Sequence, residues 1–284
     1  MNKDTLVVVL SDLHSGGSTA LFPNRFWQST TTEHNHTPTQ RQAAMYKHFE
    51  RCMEYAAQNR RGKRLVVVHD GDAIEGVHHN SIQVITQNKA EQAGIHIDLM
   101  DTFLKRTRFS KKNGDLLYYV SGTETHVGDI EQSIAKDLSA ENNPEGGRVF
   151  DHLELNINGR LVWMVHHGKG RGRGANEGNE LRNWMRDVFW DCMKVKAQPP
   201  DLVITGHTHT PTWNTYIGRN INSFHMIHGV VCPSWQMKTR YAYKVAPVDR
   251  NEIGAVFVEI RADGEIRAPI ILMMEIKDRS AIAV

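Results

Sequence analysis

The sequence has little of several features that define whole classes of protein. Its three cysteines, Cys52, Cys192 and Cys232, form no CxxC pair, so the sequence indicates neither a disulfide framework nor a thiolate metal site. No apolar run approaches the roughly 18 residues that a membrane-spanning helix needs. With 34 basic and 32 acidic residues the net charge is only +2, which gives no electrostatic argument for a dedicated nucleic-acid binder. These absences favour a cytoplasmic protein without a membrane partner.

What the sequence does have is a set of five short apolar runs that end in residues of the metal-binding kind. Continuous runs of Val, Leu and aromatic residues are typical of buried strands. The runs, with the residues that follow them, are 6–10 before Asp12 and His14, 65–68 before Asp72, 116–120 before Glu124 and His126, 161–165 before His166 and His167, and 202–205 before His207 and His209. Because ligands gather at the carboxyl ends of strands in open α/β sheets, we expect these residues to converge on one site.

Helical periodicity lies between the strand-like runs. Apolar residues recur at the spacing of one helix face in segments 45–56, 93–104 and 181–192. The second half of the chain instead carries hairpin signals, at Asn158-Gly159 and Asp263-Gly264. An alternating first half and a hairpin-rich second half predict an α/β fold of two packed sheets flanked by helices.

No repeat, low-complexity segment or linker divides the sequence, so we expect residues 1–284 to form a single domain. The polar segment 19–39 is predicted to be a loop insertion. It is either a lid over a site or a surface loop pinned by aromatic residues such as Phe22 and Trp27. Residues 224–284 are predicted to be a tail that completes the sheets.

Five short motifs follow these runs in a definite order. They are Asp12-x-His14, Gly71-Asp72, the segment from Gly122 to His126, His166, and Gly206-His207-x-His209. In this order they resemble the motifs of the calcineurin-like metallophosphoesterases, over residues from about 6 to 209. Each motif alone is common, whereas the ordered set is specific. The resemblance implies a four-layer α/β/β/α sandwich of two mixed sheets flanked by helices.

The resemblance also implies a dinuclear metal site. It assigns six ligands, which are Asp12, His14 and His209 for the first ion, His166 and His207 for the second, and Asp72 as the bridge. Manganese is the expected metal, with iron or zinc as alternatives, because mixed oxygen and nitrogen ligands suit all three. His126 matches the family's non-ligand histidine, which donates to a phosphoryl oxygen or protonates the leaving group.

The chain departs from the family pattern at one ligand. The family has Gly-Asn-His where this sequence has Gly122-Thr123-Glu124-Thr125-His126, so the asparagine ligand is missing. Glu124 offers the best oxygen ligand in the segment and is predicted to replace the amide, with Thr123 and Thr125 as the alternatives given by counting from either end.

Two further features concern the residues after the 161–165 run. Neighbouring residues on a strand point to opposite faces, so His166, which follows the run directly, is predicted to be the ligand. His167 is then predicted to contact substrate or to pack. The glycine-rich segment 168–174 brings three cations beside the expected metals, and it is either a solvated basic loop or a phosphate-binding loop formed by Lys169, Arg171 and Arg173.

The function that the resemblance implies is hydrolysis of phosphate esters by a metal-bridging hydroxide. The cationic loop favours a phosphodiesterase or nuclease, acting on nucleotide-like or nucleic-acid substrates. The alternatives are a phosphomonoesterase or protein phosphatase with the same dinuclear site, and a non-catalytic binding scaffold that has kept the fold.

Overall fold

Two β-sheets packed face to face form the centre of the protein. The computed structural model describes residues 2–77, 83–172, 174–219, 224–245 and 251–277. The first sheet has the order β13-β12-β1-β4-β5-β6, with strands β1 (Thr5–Ser11), β4 (Arg64–Asp70), β5 (Leu116–Val120), β6 (Val149–Phe150), β12 (Asn251–Ile260) and β13 (Ile270–Ile276). The second has the order β10-β11-β9-β8-β7, with β7 (Leu153–Ile157), β8 (Arg160–Met164), β9 (Leu202–Thr205), β10 (Thr212–Arg219) and β11 (Phe224–Val231).

Helices cover the outer face of each sheet. Those on the first sheet are α1 (Gln40–Asn59), α2 (Lys89–Arg106) and α4 (Ile130–Asp137), and the one on the second is α5 (Asn179–Val195). Two short helices, α3 (Glu124–Val127) and α6 (Arg240–Val245), lie in the connections after β5 and before β12. Residues of α1 such as Phe49 pack with Val8 and Val67 outside the first sheet, while Met185 of α5 packs with Val203 outside the second. Among the helices of the described segments, none combines the length and apolar character needed to cross a bilayer.

The alternation of side chains along each strand explains why the apolar runs are continuous. Val8 faces the helices, whereas Val7 and Val9 belong to a separate core cluster between the two sheets, together with Val162 and Ile204 of the second sheet. A strand buried on both faces needs apolar residues at successive positions. The predicted four-layer sandwich of two mixed sheets flanked by helices is therefore confirmed.

Parallel pairing sets the position of the strand ends. In the first sheet β1 pairs with β4 in parallel, with Val7 opposite Val66, and β4 pairs with β5 in parallel. In the second sheet β8 and β9 are parallel, with Val162 opposite Leu202. The carboxyl ends of neighbouring parallel strands lie at the same edge of a sheet. The segments that carry the predicted ligands therefore all leave from the carboxyl-terminal edges of the two packed sheets. They follow β1, β4 and β5 in the first sheet and β8 and β9 in the second.

Segment 19–39 contains a small hairpin of β2 (Trp27–Gln28) and β3 (Asn35–His36). The carboxylate of Glu91 on α2 accepts hydrogen bonds from the Ser29 hydroxyl at 2.7 Å and from the Thr30 N–H at 2.8 Å. Phe22 is buried and Trp27 packs against the core beneath the first sheet's helices. Polar contacts therefore attach the segment to α2, and its aromatic residues join the core outside the first sheet.

The last strands extend both sheets. β11 lies beside β9 in the second sheet, in parallel, and β12 lies beside β1 in the first sheet, antiparallel, with β13 at its outer edge. The three cysteines are buried and free, and no disulfide links them.

Candidate metal centre

The turns that leave the strand ends have an unusual backbone. Five of the nine non-glycine residues with a positive φ in the described segments are histidines or aspartates beside these ends: Asp12, His14, Asp72, His207 and His209. Their φ values lie between 44° and 64°, in the left-handed region that few non-glycine residues adopt. Strained backbone of this kind persists where the surrounding structure fixes it, and it concentrates at functional sites.

Asp12, His14 and His209 form one group of ligand-type atoms. His209 Nε2 lies 3.1 Å from Asp12 Oδ1, and His14 Nε2 lies 3.9 Å from the same oxygen. One ligand atom from each of the three residues falls within 4.8 Å of the others. Asp12 and His14 are buried, and His209 is partly exposed. The group thus has an inner carboxylate and imidazole with a second imidazole toward solvent.

Asp72 lies between this group and a second one. Its Oδ2 is 3.6 Å from His14 Nε2 and 3.3 Å from His166 Nε2. Its Oδ1 accepts a hydrogen bond of 2.6 Å from the Thr123 N–H. A carboxylate that faces imidazoles on both sides has the position of a bridging ligand.

The second group contains three imidazoles, those of His166, His167 and His207. The ring centroids are 4.9 Å apart for His166 and His167, 5.4 Å for His166 and His207, and 4.5 Å for His167 and His207. The hydroxyl of Thr123 lies beside two of them, at 3.1 Å from His167 Nε2 and 3.4 Å from His207 Nδ1.

Contacts outside the groups orient the buried rings. His14 Nδ1 lies 3.0 Å from Glu75 Oε2, and His166 Nδ1 donates to the Asp70 carbonyl at 2.8 Å. A histidine ligand characteristically gives its second ring nitrogen to a carboxylate or carbonyl in this way. The Nε2 atoms of His14 and His166 are buried, and neither has a hydrogen-bond partner among the described residues, while the contact of His14 Nδ1 with Glu75 has the distance of an ion pair without hydrogen-bond geometry. Two orphaned buried nitrogens facing carboxylates fit a bound cation.

The electrostatics of the site favour positive charge. Burial lowers the pKa of His14, but Glu75, Asp72 and Asp12 outweigh burial and raise that pKa to about 9. Burial likewise lowers the pKa of His166, and Asp12 and Asp72 raise it to about 10. Burial raises the pKa of Asp12, whereas His209 and His166 hold it below its usual range. The field that stabilises an imidazolium here also attracts a metal cation.

His126 lies at the edge of the first group. It is on α3, and its ring centroid is 4.9 Å from that of His14. Its Nδ1 donates to the Glu75 carbonyl at 2.7 Å, which fixes the orientation of the ring. Burial and the neighbouring His14 lower the pKa of His126.

The structure brings most of the predicted site residues together, and Glu124 is the exception among the predicted ligands. Glu124 is exposed at the start of α3 and belongs to none of the four groups of ligand-type atoms in the described segments. Thr125 is also exposed. Thr123, which precedes the helix, is the residue of this segment whose side chain reaches Asp72. The geometry therefore gives no support to Glu124 as the substitute ligand, because the helix directs it to solvent.

The predicted phosphate-binding loop is held by carboxylates. Arg171 contacts Glu252 at 3.0 Å and Glu177 at 3.1 Å, and its side chain is 11% exposed. The guanidinium thus ties the loop to β12 through Glu252, and binding of substrate by Arg171 stays a prediction. Lys169 is exposed, and Arg173 lies outside the described residues.

Glu131 is a contributor that sequence reasoning missed. It is buried on α4, and its two carboxylate oxygens accept hydrogen bonds from the N–H groups of Ala73 at 3.1 Å and Gly122 at 2.9 Å. Burial raises the pKa of Glu131 to about 7, against the opposing effect of these two N–H donors. The carboxylate ties together the turns that carry Asp72 and Thr123. No motif marks it, since it is an ordinary glutamate in a helix.

Comparisons with known proteins find similarity only to solved structures. No family model matches the sequence, and no curated protein matches it. An archaeal phosphodiesterase has 11% identity and a TM-score of 0.40, with 94% of this chain and 99% of that chain covered. A protein from Thermotoga maritima has 13% identity and a TM-score of 0.32, with 97% and 99% covered. A 5'-nucleotidase from Candida albicans SC5314 has 11% identity and a TM-score of 0.36, with 93% of this chain and 48% of that chain covered.

The four layers, the two mixed sheets and the cluster of histidines and aspartates beyond the strand ends are the arrangement expected of a calcineurin-like phosphoesterase fold.

Proposed function

We propose that this protein is a metal-dependent phosphoesterase with a dinuclear site. The observation that supports this most strongly is the position of Asp72 between two groups of imidazoles, with the buried Nε2 atoms of His14 and His166 both aimed at its carboxylate. Asp12, His14 and His209 would hold the first ion, Asp72 would bridge, and His166 and His207 would hold the second. Such a pair of ions supplies a water nucleophile near neutral pH and neutralises charge on the phosphoryl oxygens.

The protein's own groups have distinct tasks in this proposal. Glu75 and the Asp70 carbonyl fix the rings of His14 and His166, so that Nε2 is the ligand atom in both. In its protonated form His126, whose Nδ1 donates to the Glu75 carbonyl, would donate from Nε2 to a phosphoryl oxygen or protonate the leaving group, and its lowered pKa makes that proton easy to release. These fixed positions mean that little reorganisation is needed when substrate binds.

A phosphodiester is the favoured substrate class, with nucleotide-like and nucleic-acid esters included. The cation that the 168–172 loop offers to solvent is Lys169, because Arg171 is already held by two carboxylates. A phosphodiester carries one negative charge, whereas a phosphomonoester carries close to two at neutral pH. The paired Arg171 weakens the argument for a polyanionic substrate that the sequence suggested, and the single negative charge of one diester group is what Lys169 alone can match.

The test is turnover by protein that has been stripped of metal and reloaded with Mn²⁺. We expect hydrolysis of bis-p-nitrophenyl phosphate to exceed that of p-nitrophenyl phosphate. Asp72→Asn should lower kcat for the diester by roughly 100-fold or more, because the carboxylate that would hold both ions is replaced by a neutral amide. His152→Ala, at an exposed histidine outside the metal groups, is the matched control.

Each outcome bears on a different part of the proposal. No turnover of either ester by the reloaded protein would show that the chain is not a phosphoesterase and would favour the scaffold alternative. Faster turnover of the monoester would remove the diester assignment. An Asp72→Asn variant as active as the parent would remove the site.

A further inference from the structure

The turn after β8 presents two consecutive imidazoles to the same region. β8 ends at Met164, so His166 and His167 lie in a turn and not on a strand. The alternation that separates neighbouring side chains on a strand does not apply there. The two ring planes are at 85° with centroids 4.9 Å apart, and both rings approach His207.

The turn itself is fixed by Thr205 of β9. Its hydroxyl donates to the His166 carbonyl at 3.0 Å and accepts from the Gly168 N–H at 2.7 Å. A Cβ on Gly168 would lie 2.2 Å from Thr205 Oγ1, so only glycine allows this approach. His167 therefore sits in a turn that is held at the residues on either side of it.

The distances between neighbouring donor atoms match those of ligands around one ion. Metal–ligand bonds of about 2.1 Å place adjacent ligand atoms roughly 3.0 to 3.4 Å apart in octahedral or tetrahedral geometry. His166 Nε2 is 3.3 Å from Asp72 Oδ2, and that oxygen is 3.2 Å from Thr123 Oγ1. Thr123 Oγ1 is in turn 3.1 Å from His167 Nε2 and 3.4 Å from His207 Nδ1. Thr123 Oγ1 thus lies between Asp72 and two of the rings, and one ligand-type atom each from His166, His167 and His207 falls within 4.8 Å of the others.

We propose that His167 takes the place of the missing asparagine as a protein ligand of the second ion. This proposal depends on the dinuclear site proposed above. The second ion is then held by His166, His167, His207 and the shared Asp72, with the Thr123 hydroxyl beside it. Glu124 is a weaker candidate because it belongs to none of the groups of ligand-type atoms in the described segments, whereas His167, although also exposed, belongs to one. Thr123 is weaker because it offers a neutral hydroxyl.

The changed ligand set has a consequence for metal choice. The second site has three imidazoles and one carboxylate, whereas the first has the imidazoles of His14 and His209 with the carboxylates of Asp12 and Asp72. Imidazole-rich sites favour Zn²⁺, and carboxylate-rich sites suit Mn²⁺. The two positions therefore differ in selectivity, and the second prefers Zn²⁺ over Mn²⁺ more strongly than the first.

The test measures bound metal, not turnover. Equilibrium dialysis of the full chain against Mn²⁺, with metal counted by elemental analysis, should give two ions per chain for the parent. His167→Ala should keep one ion and bind the other with a Kd about 10- to 100-fold higher, the size of the loss seen when only a group that orients a ligand is changed. The double variant Thr123→Asn with His167→Ala should restore the second ion, because it returns the amide. The control variants Glu124→Gln and His152→Ala should bind two ions like the parent. Added Zn²⁺ should displace the Mn²⁺ at the second position before the Mn²⁺ at the first.

The outcomes separate this proposal from the one on which it depends. If the parent binds two ions and His167→Ala binds both with unchanged affinity, His167 is not a ligand and the dinuclear phosphoesterase stands. If Glu124→Gln loses the second ion while His167→Ala keeps it, the replacement is Glu124. If the parent binds fewer than two ions, both proposals fail. An unchanged melting temperature for metal-stripped His167→Ala shows that any loss of metal does not come from unfolding.

Discussion

The pair formed by Glu75 and His14 gives a prediction whose size and pH dependence both follow from the structure. Glu75 is 2% exposed, its Oε2 lies 3.0 Å from His14 Nδ1, and it accepts a hydrogen bond from Gln236 at 2.5 Å. Against the opposing effect of burial, the pKa of His14 rises from 6.5 to about 9, with Glu75 as the main favourable cause. At 1.36 kcal/mol per pKa unit, this rise corresponds to about 3 kcal/mol in the metal-free protein.

The sign of the effect follows from the raised pKa. The stabilisation is fully present below pH 6.5 and is lost as the pH rises through about 9, where folded His14 gives up its proton. Glu75→Gln should therefore destabilise the metal-stripped protein by about 1–3 kcal/mol at pH 6 and by clearly less at pH 9.5. The same variant should weaken metal binding by about 10- to 100-fold, because the ring is no longer held by a carboxylate.

Urea denaturation at the two pH values measures this directly, with the metal removed by chelation. Glu145→Gln, at an exposed glutamate, is the matched control and should change the free energy of unfolding at neither pH. A destabilisation of equal size at pH 6 and pH 9.5, or one that grows with pH, would refute the proposed charge coupling between Glu75 and His14.

Three other expectations follow from the site and the residues that support it. Adding metal to the metal-free protein at pH 7 should release about two protons, one each from His14 and His166, because their raised pKa values of about 9 and 10 keep both rings protonated there. Calorimetry in buffers of different ionisation enthalpy measures the number of protons, and a number near zero would contradict the expectation. Gly122→Ala should destabilise the protein by about 1–3 kcal/mol and weaken metal binding, because the new Cβ would lie 2.1 Å from the Asp72 backbone nitrogen. A variant with the melting temperature and metal content of the parent would contradict this close packing of the turns that carry Gly122 and Asp72. Arg171→Met should lower the free energy of unfolding by about 2 kcal/mol, because it removes the ion-pair partner of Glu252, whose side chain is only 3% exposed. An unchanged free energy of unfolding with a raised KM for the diester would instead show that Arg171 binds substrate.

The residues that sequence reasoning located are those whose positions follow from strand order. Asp12 and Asp72 come after apolar runs that pair in parallel, with Val7 opposite Val66, so their approach follows from the sheet. The histidines at 207 and 209 follow β9 in the same way. A continuous apolar run is a strong sign of a strand buried on both faces, so two packed sheets flanked by helices were predictable from the pattern. The four-layer order came from the family resemblance.

The features that sequence reasoning did not find depend on boundaries and on distant contacts. The apolar run 161–165 continues one residue past the end of β8. Because the strand ends earlier than the run, His166 and His167 lie in a turn, where both rings can approach His207. Strand boundaries are the least certain part of any reading from sequence. Arg171 and Glu252 are 81 residues apart, and no local pattern announces that they pair. The helix that exposes Glu124 is only four residues long, too short to give a periodic signal.

The most direct test of the central claim is anomalous diffraction at the manganese absorption edge from crystals of the Mn²⁺-loaded protein. The dinuclear proposal expects two anomalous peaks roughly 3.5–4 Å apart, one beside Asp12, His14 and His209 and the other beside His166 and His207, with the Asp72 carboxylate between them. A single peak, or two peaks that do not share Asp72, would contradict it.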